Sequence, residues 1–205
     1  MIISDMYQTK IEASNYNANI DSTNNVITVT LLDFNNQPVT NKSVTLSCDK
    51  GYFTKKGSTS ISGTTTKSVT VNTDSNGKIT ATWTASEWGL CTFSANNNKV
   101  QINVKGWKVV QGADNLNSYF HIRVNGEGLA ELNIHYNQSA ALGRTGHWWN
   151  IDSPYRPRQD VGTLRYNYGV YWVINLTQQG LIEIGTLNDS NATLGGLWGQ
   201  IVYRY

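Results

Sequence analysis

Apolar and polar residues alternate with a period of two along much of the chain, in runs too short for helices. Residues 26–32 (VITVTLL) place Ile27, Val29 and Leu31 on one side and Thr28 and Thr30 on the other, as a half-buried strand requires. The rhythm returns at 44–48 (VTLSC), 69–71 (VTV), 79–84 (ITATWT), 91–95 (CTFSA) and 100–104 (VQINV). Turn-forming residues separate these runs, at 33–38 (DFNNQP) and 74–77 (DSNG). About seven short strands at this spacing predict a Greek-key sandwich for the first half of the chain.

The second half alternates as well. Residues 119–124 (YFHIRV) and 129–136 (LAELNIHY) flank Asn125-Gly126-Glu127-Gly128, which predicts a hairpin because Asn and Gly tolerate positive φ. A second hairpin is predicted from 170–176 (VYWVINL) and 181–187 (LIEIGTL) around 177–180 (TQQG), and residues 198–205 predict a last strand. The fold class expected is therefore all-β, with two sandwiches in series.

Composition sharpens the division. The 205 residues allow one large β domain or two small ones, and 18 Gly, 7 Trp and 11 Tyr against 3 Pro and 2 Met favour pleated, turn-rich structure. Every Lys lies at or before Lys108 and every Arg at or after Arg123. The glycine-flanked stretch 106–115 (GWKVVQGADN) between them has the look of a joint, so the domains expected are 1–108 and 109–205. A net charge of +2 with 15% charged residues gives no basic face of the density that nucleic acid needs. No stretch approaches the roughly 20 apolar residues of a membrane helix, so membrane insertion is not expected. The start, residues 1–6 (MIISDM), lacks the pattern of a secretory signal, which suits a piece of a longer protein or one released by lysis.

Chemistry-bearing motifs are few. His121, His135 and His147 do not fall into H-x-x-x-H spacing, no G-x-S-x-G is present, and Asp152 with Asp160 is the only local carboxylate pair worth testing for glycoside hydrolysis. The expectation is a protein that is not an enzyme and takes no cofactor or metal. Cys48 and Cys91 are too few for a disulfide scaffold and lack CxxC company; they form one bridge or remain two buried thiols. The candidate binding residues are Arg144, His147, Trp148, Trp149, Tyr155, Arg156 and Arg158, because aromatic faces stack on sugars or protein and Arg offers a planar fork of donors. The plainer alternative is that Trp148 or Trp149 fills a core or packs between subunits while Pro154 and Pro157 shape a turn.

Two stretches carry family resemblances. The order of D-x-x-x-x-P-V at 33–39, T-D-S-N-G at 73–77 and G-L-C-T-F-S-A at 89–95 resembles the bacterial immunoglobulin-like domain of invasin and intimin, over roughly residues 10–105. That resemblance implies an Ig-like Greek-key stalk domain and puts Cys48 and Cys91, a departure from the family, on neighbouring strands. Ser153-Pro154-Tyr155-Arg156-Pro157, the 173–184 hairpin and the closing 197–203 strand resemble the C-terminal head of tailed-phage receptor-binding proteins. Trp148-Trp149 lies outside that pattern. The second resemblance implies a jelly-roll-like β-sandwich that forms a homotrimer and binds a host cell-surface glycan or protein, working beside other virion or adhesin subunits. The location implied is the virion surface, in a tail or capsid fibre; the alternatives are a cellular surface adhesin carrying a carbohydrate-binding module, and a structural virion decoration protein.

Overall fold

The computed structural model describes residues 7–63, 65–115, 118–136, 145–167, 170–186 and 197–205; of these, 113–115, 118–119, 136, 145–149, 166–167, 170, 186 and 197–198 are described by backbone alone. Among the described residues regular structure is strand throughout, apart from one turn of 3-10 helix at Ser153–Tyr155. The chain divides into two units, residues 1–106 and 107–205.

The first unit holds β1 (Gln8–Ala13), β2 (Asn17–Asn19), β3 (Asn25–Leu32), β4 (Ser43–Cys48), β5 (Tyr52–Lys56), β6 (Thr59–Ser60), β7 (Ser68–Asn72), β8 (Lys78–Thr84), β9 (Gly89–Ala95) and β10 (Asn98–Lys105). One sheet runs β1-β3-β8-β5-β6 and the other β2-β10-β9-β4-β7. This is the immunoglobulin-like Greek key, with the first strand divided between the sheets so that β2 lies parallel to β10. Alternation explains the sandwich: along β3 Ile27, Val29 and Leu31 are buried while Thr28 and Thr30 are partly exposed. The inward residues of both sheets close over Trp83, Phe53 and Phe93, whose rings meet edge to face at 5.1 Å (Trp83–Phe93) and 6.2 Å (Phe53–Phe93). The Trp83 indole still needs a polar partner and donates to the Lys50 carbonyl at 2.9 Å.

Both turn motifs of this unit are carboxylate-capped loops. Asp33 Oδ1 accepts from the backbone N–H of Asn35 and Gln37, each at 2.8 Å, and Asp74 Oδ1 accepts from Asn76 and Lys78 at the same distance. Gly77 has φ +69°, and a Cβ there would lie 2.5 Å from the Leu31 carbonyl, so T-D-S-N-G ends in Gly because the two loops pack backbone to backbone. Residues 54–67, a polar loop by composition, contain the end of β5 and all of β6.

The path of the chain through this unit is fixed by register. Gln8 pairs with Leu32 at the pole that also holds the capped loops, whereas Lys105 pairs with Asn19 and Val104 with Gly89 at the other pole. Two hydrogen bonds secure these ends, Asn96 Nδ2 to Thr9 Oγ1 at 3.3 Å and Ile20 N–H to the Lys105 carbonyl at 2.7 Å. The chain therefore enters at one pole and leaves at the opposite one.

The second unit holds β11 (Trp107–Asn115), β12 (Ser118–Asn125), β13 (Leu129–Tyr136), β14 (Thr145–Asn150), β15 (Val161–Asn167), β16 (Val170–Leu176), β17 (Leu181–Thr186) and β18 (Leu197–Arg204). Residues 107–115, glycine-flanked in sequence, form a full edge strand with a bulge at Val110. The sheets are β11-β12-β13-β18 and β14-β17-β16-β15. The chain crosses between sheets from β13 to β14 and returns from β17 to β18, so β13 and β14 pair with β18 and β17 as a rolled double strand; this is the jelly-roll-like element. The sheets face each other over Ile122, Leu132, Ile134, Trp172, Ile174 and Ile184, all buried. At Gly199 they touch: a Cβ there would come 2.3 Å from Ile174 and 2.9 Å from Ile134.

Cys48 and Cys91 stand on adjacent strands, and both are free thiols buried in the first core. Cys48 pairs with Phe93, which puts Cys91 on the diagonal, where neighbours stand about 7–8 Å apart. A disulfide spans less than about 7 Å between Cα atoms, so this geometry keeps the two apart. Burial pushes the Cys48 thiol up to about 11 and the Cys91 thiol up to about 12, from an ordinary value of 9.0. The unfolded chain releases these protons near pH 9 and the folded one retains them, so their stabilising share is whole below pH 9 and is lost as pH rises toward 12. Urea unfolding between pH 8 and 11 is expected to show falling stability, and the double variant Cys48→Ala, Cys91→Ala should lose less over that interval. Ellman titration should find both thiols unreactive in the native protein and two reactive thiols after denaturation.

Candidate functional site

Three of the seven binding candidates, Tyr155, Arg156 and Arg158, are described with their side chains, and His147, Trp148 and Trp149 are described by backbone alone on β14. Arg144 lies outside the described residues, and β14 leads into the loop that carries Tyr155, Arg156 and Arg158. The strand is six residues, about 17–20 Å, long. His147 pairs with Glu183, and Trp149 with Ile182, across a bulge that falls at Trp148. Ile182 is buried and Glu183 is half-buried on the opposite face, so Trp149 takes a core-side register position and His147 an outward one.

The remaining three candidates sit on residues 151–160, a loop at the pole where the chain enters this unit, as the pairs Trp107↔Asn125, Leu129↔Arg204 and Asn150↔Leu181 show. Each is engaged in holding that loop. Arg156 Nε donates to the Ile151 carbonyl at 3.1 Å. Arg158 Nε donates to the Tyr205 carbonyl at 3.1 Å, and its own backbone N–H donates to the Arg204 carbonyl. The Tyr155 ring meets Tyr205 edge to face at 5.8 Å, while the Tyr155 carbonyl accepts from the Tyr203 hydroxyl at 2.9 Å. Tyr203 is buried, and burial pushes its phenol well above the usual range. Asp160 Oδ1 accepts from the Gln178 N–H at 2.7 Å, and Gln178 Nε2 donates to the Arg158 carbonyl. Asp152 is held through its N–H to Gln111 Oε1 at 2.9 Å. The Asp160 carboxylate is thus part of a loop anchor, Asp152 is held through its backbone, and both residues are exposed.

A second polar group, which the sequence did not single out, occupies the outward face of β11-β12-β13-β18. Glu131 is 4% exposed although it lies outward on β13, between the inward Ala130 and Leu132. Arg123 Nε and Nη2 donate to its two oxygens at 2.7 and 3.0 Å, Asn133 Nδ2 donates as well, and the Arg123 guanidinium lies 5.5 Å from the Trp107 ring. Burial alone would raise the carboxyl, but donors from Arg123, Asn133 and Gln200 outweigh it and hold Glu131 below the ordinary range. The only sequence signal was the cross-strand spacing of Arg123 and Glu131 around the Asn125 turn, readable once the hairpin register is known.

No family model matches the chain, and no curated protein matches it. Among solved structures it is similar to the adhesin InvE of Yersinia pseudotuberculosis, at 15% identity and a TM-score of 0.35, over 96% of this chain and 58% of that one. It is also similar to domains 4–9 of the surface layer protein SbsC (12% identity, TM-score 0.30, 96% of this chain and 30% of that one) and to SbsC domains 5–6 (11%, 0.29, 96% and 95%). The chain spans 58% of the length of the adhesin. Likeness of this degree says nothing of a ligand. The fold defines a two-unit, all-β protein of the sandwich type, and its structural neighbours are surface proteins.

Two variants test these assignments. Tyr205→Ala removes the ring contact with Tyr155 and the hydroxyl bond to the Asn125 carbonyl; limited trypsin digestion is expected to cut after Arg158 about tenfold faster with little change in melting. Arg123→Ala leaves a buried carboxylate without its cation and should destabilise the protein by about 2 kcal/mol at pH 7 in urea titration. Glu131 stabilises above its unfolded value of 4.5, and that share is lost as pH falls through the depressed folded value. The Arg123→Ala protein should therefore show a shallower acid loss than wild type.

Proposed function

We propose that this chain is a non-enzymatic adhesion protein acting outside the cell, in which the first unit is a spacer and the second attaches to a receptor on a host surface. The observation that supports it is the course of the chain through the first unit, in at the Gln8 pole and out at the Lys105 pole. A module joined in that way adds its full length to whatever it carries. Pulled from its two ends, it also loads β1 against β3 and β10 against β9 along the strand axes, so the six and seven residue pairs of those ladders resist together instead of opening one at a time.

The second unit supplies a two-sheet body whose described loops gather at the pole where the chain enters. Its resemblance to tailed-phage heads makes the owner a virion and the assembly a homotrimer in this reading, and three copies would turn weak single contacts into firm attachment. The low net charge of +2 means that recognition rests on stacking and hydrogen bonds more than on long-range attraction.

Sedimentation with intact bacterial cells and light scattering test the two parts separately. The full chain is expected to pellet with cells of its host and to scatter at three times the mass of one chain. Failure to pellet with any cell type would overturn the adhesive reading, and monomers at micromolar concentration would overturn the trimer.

A further inference from the structure

We infer that the outward face of the β14-β17-β16-β15 sheet is a shallow binding platform for a neutral saccharide, an inference that rests on the adhesive reading above and gives it a location. Large apolar side chains are exposed at two places on this face: Tyr171 is 44% and Leu164 51% exposed. They belong together. Leu164 pairs with Val173, two residues along β16 from Tyr171 on the same side, so ring and leucine sit diagonally across one strand pair.

Beside them the face turns polar. Gly162, Asn175 and Glu183 form a continuous row across β15, β16 and β17, and His147 takes the next register position on β14. Gly162 has no side chain to rise above the sheet, and a Cβ there would lie 2.5 Å from Asn175 Oδ1, so the carboxamide oxygen takes the space a side chain at 162 would fill. The result is an exposed ring and an aliphatic side chain next to a planar amide and a carboxylate. A sugar presents the complement of this arrangement, with C–H groups on one face and paired hydroxyls at its edge.

Charge decides between ligand classes. The outward register positions of these strands carry Glu183 and no lysine or arginine; Arg165 is exposed, but it pairs with the buried Trp172 and stands at an inward register position on the edge strand β15. An anionic ligand would be repelled. A second copy of the chain laid face to face on this sheet would bury the Glu183 carboxylate on a central strand whose outward register neighbours include no lysine or arginine, which is costly. A hydroxyl-rich neutral ligand satisfies Glu183 and Asn175 while they remain at a wet surface.

The test uses the full chain, a panel of neutral oligosaccharides (glucan, galactan and N-acetylglucosamine oligomers) in titration calorimetry, and cell sedimentation in parallel. Wild type is expected to bind at least one oligosaccharide, Tyr171→Ala and Glu183→Gln to weaken it about tenfold or more, and Val202→Ala on the other sheet to change nothing. Cell attachment that survives Tyr171→Ala, or attachment with no binding to any of the panel, would overturn this platform while leaving the adhesive reading intact. A change of particle mass in Tyr171→Ala with unaltered saccharide affinity would also overturn it, in favour of a second copy. Loss of cell attachment in wild type itself would remove both.

Discussion

The parallel pairing of β2 with β10 is the constraint on which the use of the first unit depends. It comprises three residue pairs, Asn103↔Asn17, Val104↔Ala18 and Lys105↔Asn19, reinforced by the Ile20 N–H to the Lys105 carbonyl. Because β1 belongs to one sheet and β2 to the other, the first and last strands of the unit are neighbours that run the same way. The chain must then enter and leave at opposite poles. Had the first strand stayed wholly in the β3 sheet, the final strand would present an open edge, a template for unwanted pairing.

The rest of the molecule follows two rules already in the strands. Inward alternation closes each sandwich, around Trp83 and its aromatic neighbours in one unit and around Trp172 and Ile174 in the other. Outward alternation leaves faces that differ in character. One carries the Arg123–Glu131 pair and its amide partners, with both Glu131 oxygens accepting hydrogen bonds from within the protein. The other bears an exposed ring, a leucine and a polar row. The first is a structural network, and the second exposes an apolar pair beside polar groups.

Strands in the middle of each sandwich were legible because burial on one face enforces the period of two. The runs at 26–32, 44–48, 79–84 and 170–176 match β3, β4, β8 and β16 to within a residue at each end. Edge and polar strands were not. β1 (QTKIEA) has Ile11 as its one buried residue, β2 has three residues, and β11, β14 and β15 carry glycines that dilute the pattern. The turn motifs were legible as turns, and the Asp33 and Asp74 bonds give the physical reason. The candidate site was legible only by residue type. Aromatic and arginine residues close in sequence were grouped as one site, and within that group Arg156 and Arg158 serve loop anchoring through carbonyl acceptors that no sequence pattern reveals. Tyr171 and Glu183 come together only through the β16–β17 register, which is long-range information.

The proposed spacer role requires that the β1–β3 and β10–β9 ladders be loaded in shear between the poles of the first unit. Single-molecule pulling through handles at residues 8 and 106 measures that directly, against the same unit pulled through residues 8 and 97, which lie at one pole. Shear across β1–β3 and β10–β9 predicts a markedly higher unfolding force for the first pair of handles. Equal forces, or a lower force between the poles, would contradict a spacer that bears load.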